Sequence, residues 1–203
     1  LQQLFANREP KGGAIRLTID PDAQMAAMKA LNGRTGAVVA IDPTTGAILA
    51  LASSPSFDPN LLSSHDAGDI QANYEELNAD TNQPLLNRPL AMTLPPGSTF
   101  KLVTAAAALE SGNYVAGTEL PGPTQINLPG TDVQLGNWNG KSCGPGDVTT
   151  LQAALEISCN TAFAWLGMEL GADAISEQAQ KFGFESEFEV PMTAAISRFP
   201  VDP

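Results

Sequence analysis

The sequence predicts an α+β chain in which a few strands are set among many helices, and three observations carry that prediction. Thr35–Ile41 and Ala47–Ser53 are apolar, strand-like runs joined by Asp42-Pro43-Thr44-Thr45-Gly46. That connection is hairpin chemistry, with Pro fixing one turn angle and Gly free to take the left-handed position. Leu102–Glu110 is alanine-rich and ends at Ser111-Gly112, a helix with a natural stop. Two or three further helices close the chain, at about 149–157, 161–170 and 173–182, separated by Ser158-Cys159-Asn160 and by Gly171.

The remaining elements follow in order. Ala14–Ile19 alternates as a strand does, and Asp20-Pro21 then opens a helix to Leu31, with Asp as its cap and Pro at its first position. Ser54–Asn60 is a Pro/Ser/Asp loop, and a weak helix is expected at about 68–79. A polar connection leads into Leu94-Pro95-Pro96-Gly97, after which Ser98 is expected to cap the alanine-rich helix and Lys101 to lie in its first turn. The Gly/Pro-rich stretch 117–147 holds short strand-like pieces such as Thr131–Leu135. There is no internal repeat, and Phe184–Pro203 has no clear pattern.

Composition narrows the function. The chain has 203 residues, 43% of them hydrophobic, enough for a sizeable core. Twenty-two acidic residues against 10 Lys plus Arg give a net charge of -12, which argues against nucleic acid or an anionic membrane surface as the main partner. No apolar run approaches membrane-spanning length, and Leu1–Arg8 lacks a signal-peptide pattern. Two cysteines and one histidine exclude a Cys/His zinc site, and His65 in Ser63-Ser64-His65-Asp66 reads as surface chemistry rather than part of a Ser-His-Asp triad. Gly136–Ser142 imitates a phosphate-binding loop but is one residue short of it and is not framed by a strand and a helix, so no nucleotide cofactor is expected.

The chemistry is carried by Ser98-Thr99-Phe100-Lys101. Twelve serines and five lysines would produce about 0.3 such spacings by chance, so the pair gains meaning only from its context. Read blandly, it is a capping serine and a solvated lysine. Yet a cation in the first turn opposes the helix dipole, and Pro95-Pro96-Gly97 shapes an unusual entry. With its amine pushed toward neutrality, Lys101 becomes a base for a Ser98 nucleophile one turn away. Ser158-Cys159-Asn160, sixty residues on, reads in isolation as a helix cap; beside Ser98 and Lys101 it offers a hydroxyl to relay a proton and an amide to hold a carbonyl.

Ser98-Thr99-Phe100-Lys101 and Ser158-Cys159-Asn160 resemble the first two of the three motifs of penicillin-binding proteins and serine β-lactamases. Gly36–Ala50, Ser56-Phe57-Asp58-Pro59-Asn60, and Leu17-Thr18-Ile19-Asp20 with Gln24 narrow the likeness to the transpeptidase domain of class B penicillin-binding proteins, most like the actinobacterial members. The resemblance runs from about residue 12 to 184. It implies the penicillin-recognising, β-lactamase-like fold, an antiparallel five-stranded sheet flanked by helices, incomplete in this chain. The family's third motif, Lys-Thr-Gly or Lys-Ser-Gly, is missing: the one lysine beyond Ser158 is Lys181, followed by Phe182-Gly183. Residues 1–13 are therefore expected to be a linker from a missing N-terminal region, and 14–203 the N-terminal portion of the domain. With so few strands, such a portion is not expected to be stable alone.

The resemblance further implies D,D-transpeptidation of peptidoglycan stem peptides ending in D-Ala-D-Ala, and acylation by β-lactams. Ser98 would be the nucleophile, Lys101 its base with a pKa lowered by the helix N-terminus and partial burial, Ser158 the proton shuttle, and Asn160 the residue that holds the substrate backbone and orients Lys101. The Ser98 amide would be one oxyanion donor, its partner lying on the missing strand. No cofactor or metal is implied. The implied location is the outer face of the bacterial cytoplasmic membrane, with an anchor N-terminal to residue 1, in a protein serving cell shape or division; its partners would include the rest of the same domain. That compartment permits a Cys143–Cys159 disulfide, closing fifteen intervening residues and contributing about 3 kcal/mol by restricting the unfolded chain; two buried free thiols are the other reading. A serine β-lactamase, and a β-lactam sensor or noncatalytic scaffold, are the rival functions. The opening hairpin and the Pro-Pro-Gly entry favour the transpeptidase.

Overall fold

The computed structural model describes residues 14–187, 190 and 192–200; the linker expected at 1–13 lies outside them. The chain divides into two compact units, one ending at Met92 and one beginning at Thr93.

The first unit is built on an antiparallel hairpin, β1 (Gly36–Ile41) and β2 (Ile48–Ser54), with a register irregularity at Ala40/Ile41. Gly46 takes φ +74°, the left-handed turn conformation for which glycine pays no steric cost. Helix α1 (Pro21–Leu31) starts where Asp20 accepts from the Ala23 N–H, and it packs Ala27 and Leu31 against Ala50 and Ala52. Small side chains on both faces let the helix lie close to the sheet. Gln24 locks the pairing: its amide accepts from the Leu51 N–H (2.7 Å) and donates to the Leu51 carbonyl (3.1 Å), as a neighbouring strand would.

The strand expected at 14–19 does not form. Thr18 donates its hydroxyl to the Ile48 carbonyl and Asp20 its N–H to the Leu49 carbonyl, but there is no ladder. Ile15 and Leu17 remain 86% and 71% exposed, so the alternation has no apolar face to cover. Helix α2 (Ala67–Ala79), capped by Asp66, and the single turn α3 (Arg88–Ala91) complete the unit. Arg88 is buried there, its guanidinium donating to the carbonyls of Asn82, Gln83 and Pro55.

In the second unit a 3-10 turn (Gly97–Phe100) runs into α4 (Lys101–Glu110). Three short strands follow, β3 (Glu119–Pro121), β4 (Gln125–Asn127) and β5 (Gln134–Gly136). Next come β6 (Val148–Thr150), α5 (Leu151–Glu156) and α6 (Asn160–Lys181). β3 pairs with β6 and β4 with β5, both antiparallel, so the described strands form three two-stranded sheets. The strand expected at 131–135 is displaced to 134–136, because Thr131 is held in a turn by the Leu128 carbonyl. Similarly, the helix expected from 149 begins at Leu151, since 148–150 are paired with β3. The two last helices are one span broken at Gly171 (φ 80°, ψ 162°).

Alanines on α4, α5 and α6 (Ala105, Ala108, Ala154, Ala162) are nearly sealed, and Leu120, Leu151, Phe163 and Leu166 fill the space among them. Each fully buried leucine contributes roughly 1.5–3 kcal/mol. A disulfide joins Cys143 to Cys159, with Cα atoms 6.0 Å apart, within the usual span. It ties the Gly/Pro-rich loop to the start of α6. Gly144 is required beside it, since a Cβ there would run into the Val148 carbonyl oxygen.

Candidate active site

Ser98 does not cap α4. Gly97 (φ +58°) starts the turn early, so Ser98 already lies within the 3-10 turn and its side chain is free of capping duty. Lys101 then opens the α-helix one turn later. Its amine is drawn inward, the residue being 9% exposed, and lies 5.9 Å from the centre of the Phe163 ring.

Four oxygens surround the Lys101 amine: Asn160 Oδ1 and the Ser158 carbonyl at 2.7 Å, Ser158 Oγ at 2.9 Å and Ser98 Oγ at 3.3 Å. The first two can only accept, so they claim two N–H groups. The other two are hydroxyls, able to accept from an ammonium or to donate to the lone pair of a neutral amine. Both protonation states are thus accommodated without moving a heavy atom. Burial lowers the Lys101 pKa from its ordinary value, because desolvation penalises the charged form. Of the two expected causes, the helix N-terminus and partial burial, burial is the one seen here. A hydroxyl beside such an amine, with a second hydroxyl on its other side, can lose a proton, attack a carbonyl and return the proton to a leaving group.

Ser98, Lys101, Ser158 and Asn160 are therefore brought together, and Cys143 and Cys159 lie next to them. The cap of α6 is Cys159 rather than Asn160. Asn160 instead turns its amide, with Nδ2 donating to the Gly136 carbonyl (3.0 Å) while Oδ1 accepts from Lys101. Ser158 has φ +57°, a left-handed conformation uncommon for a residue with a side chain and often found at functional sites. A cavity of about 310 Å³ adjoins the cluster, lined by Ser158, Cys159, Ile157, Ser142, Cys143, Asn137, Trp138 and Asn139. His65 is exposed, and no group of His, Cys, Asp or Glu among the described residues could hold a metal ion.

The loop set aside as an imitation of a phosphate site proves central. Asn137 Oδ1 accepts from the N–H groups of Asn160 (3.0 Å) and Thr161 (3.2 Å), and its Nδ2 donates to the Lys141 (2.8 Å) and Pro123 (3.1 Å) carbonyls. Nothing in the sequence singled out this asparagine; the two N–H groups it accepts from lie more than twenty residues away.

The hairpin, the buried hydroxyl–amine cluster and the helices that hold it define a penicillin-binding transpeptidase domain. The family of the penicillin binding protein transpeptidase domain matches residues 36–195, and the chain belongs to it. Among its relatives, the peptidoglycan D,D-transpeptidase PbpA of Mycolicibacterium smegmatis is 44% identical over 191 residues, covering 92% of this chain and 39% of the relative. MrdA of Acinetobacter baumannii, also called a peptidoglycan D,D-transpeptidase, is 37% identical over 184 residues, 91% of this chain and 26% of its own length. A penicillin G acyl-enzyme structure of penicillin-binding protein A from M. tuberculosis superposes with a TM-score of 0.87 at 43% identity, over 96% of this chain and 46% of that one. The chain thus spans less than half the length of these relatives.

Proposed function

We propose that residues 14–203 are the N-terminal portion of a peptidoglycan D,D-transpeptidase domain that works through an acyl-enzyme on Ser98. The observation that carries this is the single amine of Lys101 held between the hydroxyls of Ser98 and Ser158. Names of the relatives, and the β-lactam bound covalently in a similar structure, support it.

Ser98 Oγ attacks the penultimate carbonyl of a stem peptide ending in D-Ala-D-Ala, and its proton passes to the neutral Lys101 amine. The Ser98 N–H donates to the developing oxyanion. When the tetrahedral intermediate collapses, the C–N bond breaks and the proton leaves Lys101 through Ser158 to the departing D-Ala amine. An acceptor amine then attacks the ester, loses its proton along the same path, and Ser98 is regenerated. Asn160 binds the substrate backbone and orients Lys101. β-Lactams enter the first half of this path, because their strained amide opens onto Ser98. The remainder of the domain is the partner that completes the oxyanion hole, and the outer face of the cytoplasmic membrane, reached by an N-terminal anchor, is the place of work.

The test uses the full-length protein. Fluorescent penicillin should label it covalently one to one, and Ser98→Ala should abolish the label. Retained labelling of Ser98→Ala would overturn the assignment.

A further inference from the structure

We infer that Asn137 is a positioning residue that caps α6 from a distance and thereby sets the place of Asn160 and Ser158 around Lys101. The inference rests on the acyl-transfer reading above and concerns the same site.

The N-terminus of α6 is poorly supplied by its own sequence. The side chain at the cap position, Cys159, offers a disulfide sulfur, a weak acceptor, to the Ala162 N–H at 3.4 Å. The N–H groups of Asn160 and Thr161 would be left without a partner were it not for Asn137 Oδ1. The orientation of that amide is unambiguous, since two N–H donors face its oxygen and two carbonyls face its nitrogen. Thr161, wholly buried, adds a bond from its hydroxyl to the same Pro123 carbonyl that Asn137 reaches.

Gly136, the residue before it, fixes the other half of Asn160 by accepting from Nδ2. The dipeptide at 136–137 thus holds the backbone and the side chain of Asn160 at once. Three of the four oxygens around Lys101 belong to residues 158–160, so a shift of this turn displaces most of the amine's surroundings together. Ser158 keeps its left-handed conformation only while that turn is held from outside. Within this network Lys101 is the titratable side chain, and Asn137 reaches it through Asn160 alone.

Second-order acylation by fluorescent penicillin, measured against pH in the full-length protein, tests the inference. Asn137→Ala should slow acylation per active site by about 10²-fold, the usual effect of an ångström-scale misplacement of a catalytic group, and should move the pH midpoint. Asn137→Asp keeps both acceptor bonds but loses the two that Nδ2 donates to the Pro123 and Lys141 carbonyls, and its negative charge favours the Lys101 ammonium. Its rate should fall as well, and its midpoint should move to higher pH. A merely structural asparagine would lower Tm and the labelled fraction but leave the rate per labelled site and the midpoint unchanged, and that result overturns the inference. Should the alanine variant fail to fold, an unshifted midpoint in Asn137→Asp overturns it alone. If Ser98→Ala still labels, the acyl-transfer reading itself has failed, which is a separate outcome.

Discussion

Among the described residues the chain buries two cations, Arg88 in the first unit and Lys101 in the second, at 4% and 9% exposure. Their surroundings differ in kind. Arg88 donates to three backbone carbonyls, those of Asn82 (2.6 Å), Gln83 (3.1 Å) and Pro55 (3.1 Å), all of which can only accept. Such a site suits a planar guanidinium that stays charged, and it fastens the loop before α3 to the end of β2. Lys101 shares its oxygens between obligate acceptors and hydroxyls, so its site tolerates the loss of a proton. A buried cation is structural where its partners are all carbonyls, and chemical where some of them can donate back.

The largest expected effect comes from forcing the second cation to resemble the first. Lys101→Arg keeps a charge but removes the base, and acylation by fluorescent penicillin should fall by about 10³-fold, within the range for loss of general-base catalysis. In the parent protein acylation should rise with pH through a midpoint below that of an ordinary lysine, because burial lowers the Lys101 pKa. Stability follows the same sign. Between the lowered folded pKa and the ordinary value, the unfolded chain holds a proton that the folded one lacks, so stability rises with pH across that window. Below it the full cost of the buried ammonium is present. An acylation rate that is flat with pH would remove Lys101 as the base.

Next in size is the disulfide. Cys143→Ser with Cys159→Ser should lower the stability of the full-length protein by about 3 kcal/mol, read from denaturant midpoints, because the loop closed in the unfolded state is lost. Since the bridge adjoins the turn bearing Ser158 and Asn160, the comparison predicts slower acylation as well. Unchanged acylation with lower stability would show that the turn is held without the bridge.

The residues that do the proposed chemistry were legible because acyl transfer needs particular side chains at fixed spacing: Ser98 and Lys101 one turn apart, Ser158 and Asn160 on one turn. Apolar runs and turn chemistry likewise mark β1, β2 and the loop between them. What was hidden depends on distant partners. The alternation at 14–19 cannot tell whether a ladder exists, and Ser98 reads as a cap until the early turn at Gly97 is known. The lowered Lys101 pKa is expected from the helix N-terminus and partial burial, but which residues, some sixty positions away, bury the amine is invisible along the chain. Asn137 and Arg88 each act through backbone groups, which any residue can supply, so no pattern marks their partners.

Arg88→Lys tests the first cation. A single ammonium cannot reach three carbonyls with the guanidinium's fork, so at least one buried acceptor is left unpaired, at a cost of about 2 kcal/mol. Acylation of the folded fraction should be unchanged, since the Ser98 cluster is held by residues of the second unit. A slowed acylation would break the division between structural and chemical cations.

The smallest effect is expected at Lys181, near the end of α6, which pairs with Glu110 at the end of α4. It has what Lys101 lacks among the described residues, a carboxylate partner, and it sits favourably at a helix C-terminus. Its side chain is nevertheless 58% exposed and that of Glu110 54%, so water screens the pair and competes for it. Lys181→Ala should leave Tm without a resolvable change at neutral pH. The bonds from Lys181 and Gln178 lower the Glu110 pKa, so whatever stability the pair gives is present above the ordinary carboxylate range and disappears as pH falls through the lowered value. Parent and variant should therefore converge in acid. A drop of several degrees at neutral pH would mean that pairing outweighs burial in deciding what a cation contributes here, and the contrast between Arg88 and Lys101 would then need a different cause.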